Sequence, residues 1–68
     1  MADGLTNRLR EARSERGWTQ ADLAERVGVT RKTVNTVENG VFTPSTTLAL
    51  KLARALETTV EALFQLTP

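Results

Sequence analysis

Apolar residues recur along this chain at three- and four-residue spacing, and no segment alternates apolar with polar as a half-buried strand would. The pattern predicts helix throughout. A first helix is expected from about Thr6 or Asn7 to Arg16, with Leu5, Leu9 and Ala12 on one stripe and Gly17 as its stop. A second opens at Thr19, where Thr19-Gln20-Ala21-Asp22 has the form of a capping box. Leu23, Ala24 and Val27 make its inner face, and Gly28 ends it.

Only Val29 separates Gly28 from Thr30, the expected cap of a third helix. Gly28 can take the left-handed conformation that turns the chain sharply, Val29 then plugs inward, and the small Ala24 lets the two helices approach. This is a helix-turn-helix. On the third helix Val34 and Val37 face inward; at about 100° per residue, Lys32, Asn35, Thr36 and Asn39 point away. Gly40 ends it, and Val41-Phe42-Thr43-Pro44 is a short loop in which Phe42 is read as a packing residue. Ser45 caps a fourth helix, where Leu48, Leu52 and Leu56 repeat at i, i+4 beside Ala49 and Ala53. A fifth starts at Thr58 or Thr59 and holds Val60, Leu63 and Phe64; Leu66, Thr67 and Pro68 form a tail. The expected fold is all-α: a compact five-helix bundle, one domain over residues 1–68.

Sixty-eight residues lie near the lower end of what folds alone. With no cysteine and no histidine, disulfides, Cys/His zinc sites, a thiol nucleophile and an imidazole base are excluded. No apolar run approaches the roughly 20 residues of a membrane span, and the N-terminus has no signal-like apolar core. A cytoplasmic protein is expected, with no cofactor, metal, membrane or small-molecule ligand. An enzyme is disfavoured because its acidic residues are spread along outward helix faces, without a glycine-rich phosphate loop or a nucleophile-and-base set. A protein-interaction module such as an antitoxin is the other alternative, although the chain leaves no room for a separate toxin-binding segment.

The net charge is only +1, so distribution matters more than the total. Between Thr30 and Leu56 stand Arg31, Lys32, Lys51 and Arg54 against Glu38 alone, enough for one basic face. Arg8, Arg10, Arg16 and Arg26 are read as solvated residues on faces of mixed sign, and Lys51 and Arg54 also as solvated. Arg31 and Lys32 can donate to guanine O6 and N7, Asn35 suits adenine N6 and N7, and Thr36 can pack its methyl on thymine. Gln20 and Thr30 stand at helix starts, where unpaired N–H groups face phosphates. Ser45 is a cap first and a phosphate contact second. Trp18 is expected in the core or as a staple.

The pieces RLREARSERGWTQADLAERVGVTRKTVNTVENG, PSTTLALKLARAL and VEALF together resemble the phage-repressor-like, Cro-type helix-turn-helix family, also called the xenobiotic-response-element family. The resemblance runs from Leu5 to Phe64 and is closest to minimal prokaryotic regulators. It implies that Gln20 anchors a phosphate, that Arg31, Lys32, Asn35 and Thr36 contact bases, and that Thr30, Thr33 and Asn39 touch phosphates or cap the helix. It also implies a buried structural pair between Arg13 and Glu38. Where the family commonly has glycine after the fourth helix, this chain has Glu57, and that helix end is expected to be shaped differently. The implied function is double-stranded DNA binding as a repressor, a homodimer on an inverted-repeat operator with the third helix in the major groove. Residues 58–68 are the candidate dimerisation segment, with Leu63, Phe64, Leu66 and Pro68 at the interface and Met1 free to join them.

Overall fold

Hydroxyl residues start four of the helices. In the computed structural model, which describes residues 4–67, the side chains of Thr19, Thr30, Ser45 and Thr59 accept from the N–H three residues on. Each satisfies a donor that the helix cannot pair internally. At Thr19 the Asp22 carboxylate returns the bond, accepting the Thr19 N–H at 2.9 Å and closing the capping box.

Along the chain, β1 (Leu5–Asn7) leads into α1 (Leu9–Glu15), followed by α2 (Gln20–Val27), α3 (Arg31–Glu38), α4 (Thr46–Ala55), α5 (Val60–Leu63) and β2 (Phe64–Leu66). The architecture is a five-helix bundle with one small sheet added. That sheet is antiparallel, pairing Leu5 with Leu66, Thr6 with Gln65 and Asn7 with Phe64. Three expectations change here. The first helix begins at Leu9 rather than at Thr6 or Asn7, the fifth ends at Leu63 so that Phe64 opens β2, and Leu66 lies in that strand instead of a tail. Strands of three residues carry too little alternation to be seen in sequence; their partners supply the hydrogen bonds.

Asn7 joins this sheet to the helices. Its Oδ1 accepts the Leu9 N–H at 3.1 Å, serving α1 in place of a cap, while its Nδ2 donates to the Val37 carbonyl at 3.0 Å near the end of α3. Arg8 N–H donates to the Leu63 carbonyl at 2.8 Å, so both chain ends are tied at one place.

Leu9, Leu23, Leu52 and Leu63 fill the centre with Val34 and Val37, all essentially sealed from solvent. Ala24, Ala49 and Ala53 are also buried, keeping α4 close to α2 and α5. Leu63, 2% exposed, is sealed in this core and is not available to the dimer interface expected of it; Phe64, at 8%, is also buried but borders the groove beside α4 and α5. Leu66 is 77% exposed. Met1 and Pro68 lie outside the described residues.

Gly28 adopts φ 77°, the left-handed turn between α2 and α3. Glu57 also takes a left-handed backbone, φ 55°, so the end of α4 keeps the glycine-like shape despite the side chain. Arg16 holds that corner, donating to the Leu56 carbonyl at 3.1 Å and to Glu57 Oε1 at 2.8 Å. Trp18 is half-buried, with the guanidinium of Arg26 4.0 Å and that of Arg16 5.3 Å from the ring centre. Neither arginine is simply solvated. Phe42 is 47% exposed and does not plug the surface as expected.

Candidate nucleic-acid interface

The outward side of α3 begins with Arg31 and Lys32, both exposed, in a first turn that contains no acidic residue. Neither side chain is engaged in a hydrogen bond or ion pair among the described residues. Thr30 accepts the Thr33 N–H at 3.2 Å, and their hydroxyls lie 3.1 Å apart. The Thr36 hydroxyl donates back to the Thr33 carbonyl at 2.9 Å, so its methyl is the part left for an apolar contact.

Glu38, at the other end of α3, has a side chain fully shielded from solvent. Arg13 grips it with Nε to Oε2 at 2.7 Å and Nη2 to Oε1 at 3.2 Å, a bidentate fork. A third arginine donor, Nη1, reaches the Trp18 carbonyl at 2.8 Å, tying α3 to the loop before α2. Burial pushes the Glu38 carboxyl up, but hydrogen bonds from Arg13, Gln20 and Arg10 outweigh it and hold the pKa below the usual carboxylate range. The same bond to Glu38 raises Arg13, against desolvation. The lone acid on this stretch is thus neutralised, and the α3 surface is left basic.

From Glu38 a chain of side-chain amides runs outward. Gln20 Nε2 donates to Glu38 Oε1 and to Asn35 Oδ1, each at 3.1 Å. Asn39 Nδ2 donates to the same Asn35 oxygen at 3.2 Å, and Arg10 Nη2 donates to Asn39 Oδ1 at 3.0 Å. Both amide hydrogens of Gln20 are therefore used internally. A phosphate at the start of α2 would meet the backbone N–H groups of Gln20 and Ala21, the first-turn donors that the capping box leaves free. Asn39 keeps one free amide hydrogen. Ser45 Oγ accepts the Leu48 N–H at 3.1 Å and is exposed at the start of α4.

Arg10 is the residue that sequence reasoning missed in this network. Its signal was available: it precedes Arg13 by three positions on α1, the spacing that puts two side chains on one helix face. No group of three or more acidic residues, histidines or cysteines placed to hold a metal lies among the described residues.

A family model described as helix-turn-helix matches residues 9–63. An uncharacterized HTH-type transcriptional regulator of Methanothermobacter thermautotrophicus is 56% identical over 48 residues, 71% of this chain and 70% of that protein. The solved restriction-modification controller protein C.AhdI from Aeromonas hydrophila is 40% identical with a TM-score of 0.77, over 81% of this chain and 83% of the other. SinR, the master regulator for biofilm formation solved in complex with DNA, is 27% identical with a TM-score of 0.74, over 79% and 87%. Other matched chains are longer, and this chain spans 55% of one of them.

Proposed function

We propose, from the premise that this chain belongs to the helix-turn-helix family of transcriptional regulators, that it represses transcription as a homodimer on an inverted-repeat operator. Helix α3 enters the major groove. The observation that carries this reading is the pairing of exposed, unengaged Arg31 and Lys32 with a helix anchored at its far end by the buried Arg13–Glu38 pair. Rigid support under free donors is what base reading requires. Phosphate contacts come from the first-turn N–H groups at Gln20, from Thr30, Thr33 and Ser45, and from the free amide hydrogen of Asn39. Thr36 offers its methyl to thymine.

One such unit covers a single half-site, and two are needed for operator-level specificity. An apolar groove lined by Leu5, Pro44, Ala49, Leu50, Val60 and Phe64 supports a twofold contact. Arg54 and Glu61 also line it and carry opposite charges, which suits a self-complementary interface. Repression follows from occupancy: a dimer across the repeat excludes polymerase from the same DNA. The working compartment is the cytoplasm.

Selection of bound duplexes from a random pool tests the reading. Recovery of an inverted repeat with half-site centres about 10 base pairs apart is expected. The double substitution Arg31→Ala, Lys32→Ala should then weaken binding to that repeat by at least about 1–3 kcal/mol at fixed salt, with stability unchanged. Unaltered operator affinity in that variant would rule out α3 as the reading helix.

A further inference from the structure

Asn35 is exposed on α3 between the two ends of the amide chain, and the polarity of that chain is dictated from both ends. At one end stands Glu38, an ionised carboxylate that can only accept. Gln20 must therefore turn its Nε2 toward Glu38, and the same nitrogen lies 3.1 Å from Asn35. At the other end stands Arg10, a guanidinium that can only donate. Asn39 must turn its oxygen to Arg10 at 3.0 Å, which leaves its Nδ2 facing Asn35 at 3.2 Å. Two independent constraints thus require Asn35 to present its oxygen inward. An amide oxygen has two lone pairs, and Gln20 and Asn39 occupy both. The Asn35 Nδ2 makes no hydrogen bond among the described residues.

We propose that Asn35 is a specificity-determining residue that reads its base as a donor only, selecting a guanine edge rather than making the two-way adenine contact usual for asparagine. Adenine recognition needs one donor and one acceptor from the same amide, N7 taking a hydrogen and N6 giving one. The acceptor is already saturated. Guanine N7 and O6 both accept, so the free NH₂ finds two acceptors side by side there; thymine O4 offers only one, next to its methyl, and is the weaker match, while cytosine N4 offers only a donor and is rejected. Gln20, Asn39, Arg10 and Glu38 act as positioning residues, holding the amide in one of its two orientations. This inference rests on α3 being the reading helix.

Random-pool selections with the wild-type chain, Asn35→Ala and Asn35→Asp test it. Loss of preference in Asn35→Ala identifies the base pair that Asn35 reads. At that position the wild type should select guanine. Asn35→Asp keeps one oxygen for Gln20 and Asn39 but presents a second oxygen outward, so its preference should move to cytosine by about tenfold. Arg31→Ala is the reference, altering a different position. Wild-type selection of adenine at the Asn35 position overturns the proposal, because it requires the amide oxygen to be released, and selection of thymine overturns its guanine assignment. A response to Arg31→Ala with none to either Asn35 variant also overturns it and leaves the groove reading intact. Failure of all chains to enrich any sequence removes the groove reading itself.

Discussion

Glu38 receives Arg13 in a bidentate fork, plus Gln20 and Arg10, while its side chain is closed to water. Removing either member of such a pair strands the other, since Arg13 is itself only 14% exposed. Glu38→Ala or Arg13→Ala should each cost about 3–5 kcal/mol, and the double variant less than their sum. Urea unfolding of the four proteins measures this; additive single effects would show the two residues to be independent. A carboxyl held below its unfolded pKa stabilises the fold above that unfolded value, about 4.3 for glutamate, and the contribution is lost as pH falls through the lower folded value. The stability gap between wild type and Glu38→Gln should therefore narrow as pH drops below about 4.3. Asp22, lowered by its bonds from the Thr19 backbone and hydroxyl, adds acid sensitivity in both proteins. At this scale the sequence was informative about residue type and spacing but silent on the direction of each amide.

Elements are set by their ends here. Caps at Thr19, Thr30, Ser45 and Thr59 and left-handed glycines at 17, 28 and 40 bound most helices where pattern and chemistry indicate. The exception is α1, whose start depends on Asn7. One amide closes that helix with its oxygen and holds the α3 terminus with its nitrogen. Asn7→Ala loses both bonds and leaves the Val37 carbonyl without this donor. A destabilisation of about 1–3 kcal/mol is expected, roughly one hydrogen bond's worth for each. Asn7→Asp can keep the cap while setting an oxygen against the carbonyl, so it should fall between wild type and Asn7→Ala at most in cap-dependent helicity, yet still lose the α3 tie. Circular dichroism with urea titration separates these; an unchanged midpoint in Asn7→Ala would show that the sheet alone positions α1.

Across the whole molecule, burial of Leu63 leaves the α4–α5 groove, which Val60 and Phe64 help to line, as the surface proposed for the dimer. Leu50, 57% exposed, lines that groove and is the residue to test. Leu50→Glu should leave the monomer's thermal stability within about 0.5 kcal/mol, as for other surface changes. It should also shift sedimentation at micromolar concentration from dimer to monomer and weaken binding to a full repeat far more than to a half-site. A wild-type chain that stays monomeric even on a full inverted repeat would sink the dimer. The hydrophobic pattern marked Leu63 and Phe64 as apolar and near the end, but a five-helix core this small uses both to seal itself.

What the sequence determined by itself is the local grammar: helix faces, capping hydroxyls, the Gly28 turn and the free basic residues that open α3. These depend on interactions within four or five residues, so a linear reading reaches them. Tertiary structure alone decided the pairing of residues 5–7 with 64–66, the double role of Asn7, the placement of Arg10 and the inward oxygen of Asn35. Each of these is settled by a partner far along the chain. Strand hydrogen bonds and amide orientation take their energy from groups that only folding brings within 3 Å or so of one another, and no periodicity in the sequence records which groups those will be.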